Sequence, residues 1–213
     1  MKAVLKYPGA KWRISEWIIS HFPEHKVYCE PFFGSGAVFF NKPQTYIETI
    51  NDIDGNIVNL FKVCRDNPEE LARLIEFTPF AREEFENCYD KSDDSLEQAR
   101  RTLVRYHQSF GTSNSSKKSW RNVQTYGGPR TATMWNYLPG RISEICARLK
   151  EAQIENIDAI ELIRRYNDEN TLLYCDPPYL QSLRRKNMYS CELSEEYHIC
   201  LLYTSDAADD LTR

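Results

Sequence analysis

Thr171-Leu172-Leu173-Tyr174-Cys175-Asp176-Pro177-Pro178-Tyr179 decides the fold of this 213-residue chain. Its first five residues are rich in leucine and aromatics, and the two prolines that follow can neither donate to a sheet ladder nor continue a helix. They read as a buried strand that stops at Asp176. A carboxylate therefore stands at the C-terminal tip of a central strand, the edge at which open α/β sheets hold ligands. The residue types suit chemistry on an exocyclic amine. Asp176 accepts a hydrogen bond from it, Pro177 and Pro178 fix a turn in which a backbone carbonyl can face the same amine, and Tyr179 offers a flat ring for a base to stack on. The plainer alternative is a Pro-Pro turn after a core strand, with an exposed acid and a packed tyrosine.

Upstream, Val27-Tyr28-Cys29-Glu30-Pro31-Phe32-Phe33-Gly34-Ser35-Gly36 reads as a short strand running into a Gly-x-Gly turn. Glycines there permit tight turning and close backbone approach to a ligand. The third glycine of the dinucleotide fingerprint is missing, which fits a ligand without a pyrophosphate, such as S-adenosylmethionine. A second strand, 46–50, ends at Asn51-Asp52-Ile53-Asp54; Asp52 stands where this kind of fold holds a ribose diol, and Asp54 serves as the cap of the next helix. A third strand over 152–157 has Asp158 at its tip and a helix over 159–166 behind it. At the N-terminus, Tyr7-Pro8-Gly9-Ala10-Lys11 is a loop presenting an aromatic and a lysine, and Ile14, Trp17, Ile18 and Phe22 predict one apolar helix face. Further helices are signalled by Ile57, Leu60, Phe61 and Cys64, by the starts Asn67-Pro68 and Thr78-Pro79, by a capping box Asp94-x-x-Glu97, by the amphipathic stretch 141–149 and by Ser194-Glu195-Glu196. Strands alternating with helices predict an α/β fold, a Rossmann-like doubly wound parallel sheet with a mainly helical insertion.

With 41% hydrophobic and 27% charged residues the composition is that of a soluble globular domain, and no run approaches a membrane span. A cytoplasmic monomer is expected. The seven cysteines are scattered without a C-x-x-C pair, and His21 and His25 have Pro23 between them, so neither a disulfide framework nor a metal site is expected. The net charge of −4 conceals a local reversal: Arg100, Arg101, Arg105, Lys117, Lys118, Arg121 and Arg130 fall in a window with no acidic residue. Tyr106, His107, Phe110, Trp120 and Tyr126 are interleaved, and Gly, Ser and Asn make it partly loop. Such a stretch is either a solvated surface or a nucleic-acid contact, and seven cations against no anions favour the second.

In this order, Tyr7 to Lys11, Glu30-Pro31-Phe32-x-Gly34-x-Gly36, Asn51-Asp52-Ile53-Asp54 and Asp176-Pro177-Pro178-Tyr179 resemble the Dam-type (class D12) DNA adenine N6-methyltransferases of bacteria and phages. The resemblance covers residues 5 to about 199. It implies S-adenosylmethionine as cofactor, contacted by Tyr7, Lys11, Asp52 and Asp176 and wrapped by the loop carrying Glu30, Pro31, Phe32, Gly34 and Gly36. Double-stranded DNA would be the partner, held by the insertion, with the target adenine flipped out of the stack. The implied division is 1–66 with 150–199 as catalytic domain and 67–149 as recognition region. Residues 200–213 resemble a translated sequencing adapter, so a non-native tail and a sheet incomplete at its C-terminal side are expected. Methylation of RNA adenine, cytosine N4 or a glutamine amide on the same fold, an inactive DNA-binding fragment, and a dinucleotide-dependent oxidoreductase are the alternatives.

Overall fold

The computed structural model describes residues 1–110, 119–123, 126, 130–180 and 191–210, the last six as backbone. Lys117 and Lys118 lie outside the described residues. Four strands, β1 (Val27–Glu30), β2 (Ile47–Asn51), β3 (Gln153–Glu155) and β4 (Thr171–Leu173), form one parallel sheet in the order β3-β2-β1-β4. The chain runs outward from β1 to β3 and then returns to the far side of β1. The direction of winding thus reverses between β1 and β4, and the crevice at such a reversal, outside the carboxyl ends of the strands, is where this architecture accepts a ligand.

Alternation along β4 shows that both faces of the sheet are covered. Leu172 and Tyr174 pack into a large core with Tyr28, Ile50 and Phe61, whereas Leu173 and Cys175 pack into a small one with Ile160, Ile163 and Leu201. Helices α2 (Gly55–Asp66), α3 (Pro68–Phe77), α5 (Ser95–Gln108) and α7 (Leu138–Lys150) belong to the first core; α8 (Ala159–Arg165) and α9 (Glu195–Asp210) form the second. Shorter helices are α1 (Ser15–Ile19), α4 (Arg82–Asn87) and α6 (Thr131–Trp135). The helices between 67 and 149 share the sheet's core: Leu71, Ile75, Leu103, Leu138 and Ile142 are all buried in it. α9 runs through position 199 without a break, and Leu201 is buried against α8. Among the described residues no helix is long and apolar enough to cross a membrane.

Several expectations need correction. The strand into Asp176 is half-buried, because among the described residues β4 has a strand neighbour only on its β1 side. The apolar face predicted from Ile14 to Phe22 is split, since a five-residue helix brings Ile18 and Phe22 to the core and leaves Ile14 and Trp17 exposed. Trp17 instead lies on the His21 ring, 4.4 Å between centroids. Thr78 does not start a helix but closes α3, its hydroxyl donating to the Leu74 carbonyl at 2.6 Å. The capping box forms only halfway: Asp94 accepts from the Leu96 N–H at 3.0 Å, while Glu97 turns to arginines.

Candidate active site

Three loops leave the carboxyl ends of β1, β2 and β4 and meet at the crevice. After β1 the chain needs two left-handed residues, Gly34 (φ +51°) and Gly36 (φ +65°). A Cβ at Gly34 would come within 2.9 Å of the Tyr7 ring, and one at Gly36 would run into the rings of Phe33 and Phe40. Asp52 holds this turn from below, Oδ2 accepting the Gly34 N–H at 2.8 Å and Oδ1 the Asp54 N–H at 2.9 Å. Burial nonetheless pushes the Asp52 carboxyl up to about 6. Asn51, to which the sequence reading gave no role of its own, ties the loop after β1 and the end of β2 to the segment after β3. Its Nδ2 donates to the carbonyls of Pro31 and Ile157, and its Oδ1 accepts the Ile157 N–H at 2.9 Å.

Opposite this turn stands Asp176. Lys11 Nζ donates to both its carboxylate oxygens, at 2.7 and 2.6 Å, and also to the Gly9 carbonyl at 2.9 Å, so the N-terminal loop is pinned across the crevice to the end of β4. The same ammonium lies 5.4 Å from the centroid of the half-exposed Tyr179 ring. Glu30 forms the floor. Residues two apart on a strand share a face, and Tyr28 Oη donates to Glu30 Oε2 at 2.6 Å. Burial pushes the Glu30 carboxyl up to about 8, with the Tyr28 hydrogen bond opposing.

An acid whose folded-state value is raised keeps its proton longer in the folded chain. Between pH 4.5 and about 8, the folded state therefore holds one proton more than the unfolded one, and stability falls as pH rises. Glu30→Gln removes the effect, and its urea midpoint is expected to exceed that of the parent by a margin growing from pH 5 to pH 8. The slope should approach about 1.4 kcal/mol per pH unit. A margin independent of pH would contradict it.

The crevice is lined by Tyr7, Lys11, Glu30, Phe32, Gly34 and Asp52, with Asp176, Pro177 and Pro178 on the far wall. Nine of the residues named from sequence are thus brought together. Pro31, Gly36 and Tyr179 are not among its lining residues, although the Tyr179 ring lies near Lys11. Phe33, within the loop expected to wrap the cofactor, Ile53, within the Asn51–Asp54 motif, and Leu193, to which the sequence reading gave no role, complete its apolar wall. The basic window is less uniform than its composition. Arg100 is held by Glu84 and Glu97 at 2.6 and 2.7 Å, and Arg101 by Glu97 at 2.7 Å and the Asp90 carbonyl. Arg105 lies over the Tyr89 ring and Arg121 donates to the Ser109 carbonyl at 3.0 Å. Arg130 is exposed at the start of α6. His107 is buried, donating through Nε2 to the Val4 carbonyl, and burial drives its ring down to about 3. It is a core residue. Phe110 and Tyr126 are exposed.

Comparison with known families adds the deciding observation: the model of the D12 class N6 adenine-specific DNA methyltransferases matches residues 7–206. The chain belongs to this family. Among individual D12 relatives it is similar to the DNA adenine methylase of Haemophilus influenzae, with 27% identity over 185 residues covering 82% of this chain and 63% of that protein. The DNA adenine methylase of Escherichia coli K12 is 25% identical over 187 residues, covering 84% and 65%. The DNA N-6-adenine-methyltransferase of phage P1 is 28% identical over 190 residues, covering 84% and 24%. The D12 chain thus spans just under two thirds of the bacterial relatives it matches.

Proposed function

We propose that this chain carries the machinery of a DNA adenine N6-methyltransferase that takes its methyl group from S-adenosylmethionine. The reading rests on one observation above all. The Asp176-Pro177-Pro178 turn and the Asp52-braced glycine turn face each other across one crevice at the reversal between β1 and β4. The donor set suits that cofactor: carboxylates for a ribose diol and for cationic groups, apolar and aromatic walls for a flat base, and, among the described residues, no cluster of cations for a pyrophosphate. Asp52 retains lone pairs beyond the two that take backbone N–H groups, enough to accept from two hydroxyls. When bound, the cofactor supplies a methyl group made electrophilic by a sulfonium.

The remaining work falls to the chain. Tyr179 gives an extruded adenine a face to stack on, and Asp176 accepts from its amino group, which turns the nitrogen lone pair out of ring conjugation. Lys11 at present occupies both oxygens of Asp176, so the amine enters by sharing that carboxylate with the ammonium. Arg105, Lys117, Lys118, Arg121 and Arg130 supply phosphate contacts; Arg100 and Arg101 serve chiefly to brace α5 against α4.

Calorimetric titration of the full chain with S-adenosylmethionine tests the reading, with Asp52→Ala beside it. The parent should bind and the variant should lose about 30-fold or more in affinity, the worth of the diol hydrogen bonds to a charged acceptor. Tritiated methyl transfer to unmethylated DNA, released as N6-methyladenine, completes the test. A folded parent that does not bind, or that methylates only cytosine or RNA, would overturn the proposal.

A further inference from the structure

The crevice holds more acid than its own cations neutralise. Among the described residues, Glu30, Asp52 and Asp176 line it against the single ammonium of Lys11, which is already held by Asp176. Asp52 is supported by the backbone N–H groups of Gly34 and Asp54, and Glu30 by the neutral hydroxyl of Tyr28 and the backbone of Phe39. On the strand of Glu30 stand Tyr28 and Cys29, and on β4 and its extension Tyr174, Cys175 and Asp176. From the segment after the glycine turn comes Lys42, whose ammonium lies over the Tyr28 ring at 4.4 Å and is held by Glu48 at 2.5 Å. Among the described residues no cation makes an ion pair with Glu30.

A sulfonium methyl donor and its thioether product differ by one methyl group and one positive charge. As the bond from the methyl carbon to adenine N6 forms, the electron pair of the carbon–sulfur bond stays on sulfur, and the surplus proton of N6 passes to solvent. We propose that Glu30 is the residue by which this crevice tells donor from spent product: it releases its proton to solvent when the sulfonium form binds and takes one up when the thioether form is held in its place. An ionised Glu30 left beside a neutral sulfur is a buried charge without a counter-ion, which disfavours the product as soon as it is made. The high proton affinity that burial gives Glu30 means that at neutral pH there is a proton to release. The inference rests on the cofactor assignment above and assigns the discrimination to one carboxyl group.

Calorimetry of the full chain with S-adenosylmethionine and with S-adenosylhomocysteine, each in two buffers of different ionisation enthalpy, counts the protons directly. At pH 7.5, roughly half a proton or more should leave with the sulfonium ligand and distinctly fewer with the thioether. The affinity ratio between the two should rise about tenfold in favour of the sulfonium from pH 6 to pH 8. In Glu30→Gln the difference in proton count and the pH trend should both vanish, while Tyr28→Phe, which keeps the carboxyl and loses its hydroxyl partner, should retain them. Equal proton counts for the two ligands in the parent, or a difference that persists in Glu30→Gln, would overturn this inference and leave the cofactor assignment standing. Failure of either ligand to bind the folded parent would overturn both.

Discussion

Replacing Asp176 by alanine is expected to lower methyl transfer to adenine by about 10³-fold or more while S-adenosylmethionine binding remains measurable. The side chain stands at the end of β4 and is partly exposed, so its removal costs the fold little more than a partly solvated ion pair with Lys11, about 1 kcal/mol. What is lost is the acceptor that fixes the direction of the amine, an effect confined to the reacting geometry. Single-turnover transfer on unmethylated DNA, read beside a calorimetric titration of the same preparation, separates the two effects. A variant that transfers at the parental rate would remove Asp176 from the chemistry, and one that unfolds would make it structural.

The parts of this site that were legible in the sequence are those whose geometry is local. Two prolines after a leucine-rich run stop a strand wherever they occur, and glycines at 34 and 36 are demanded by left-handed backbone that few other residues adopt. Asp54 could be assigned as a cap because capping uses neighbours two residues on, and it does accept the Asn56 N–H. The pairing of Tyr28 with Glu30 was not read from the sequence, although residues two apart on a strand share a face and the signal was there.

Charge was read less well, because charge is neutralised in space. The window from 100 to 130 has no acid of its own, yet α4 and the first turn of α5 bring Glu84 and Glu97 onto Arg100 and Arg101. Glu97 could have been suspected from its positions three and four residues before those arginines. Glu84 could not, lying in another helix. Asn51 and Lys42 were silent for the same reason: the partners that give them meaning stand on elements joined only by the fold.

The second large effect belongs to one such hidden group. Glu48, on β2, is fully buried with Lys42 and almost so with Arg148 of α7, accepting from Lys42 Nζ at 2.5 Å and from both terminal nitrogens of Arg148. Lys42 lies over the Tyr28 ring, and the Arg148 guanidinium is 4.0 Å from the Phe39 centroid. Burial pushes the Glu48 carboxyl up, but the hydrogen bonds from Arg148 and Lys42 outweigh it and hold the group below its ordinary value. An acid shifted downward stabilises the fold at every pH above its unfolded value, and that contribution is lost as pH falls through the lower folded one. Glu48→Ala leaves two buried cations uncompensated and is expected to cost about 3–5 kcal/mol, a fall of roughly 10 °C in melting temperature for a chain of this size. The loss should be largest near neutral pH and shrink below pH 4, where the parent's own carboxyl gains its proton. Adding Lys42→Met should restore part of it, since one unpaired charge is then removed. The uncompensated ammonium in the single variant also faces Tyr28 and, through it, Glu30, so the pH dependence of stability assigned to Glu30 should move to lower pH in Glu48→Ala. Urea unfolding across pH 4 to 9 measures both effects at once. A loss below about 1 kcal/mol at pH 7 would mean that solvent reaches this triad and that the ion pairs contribute no more than surface ones do.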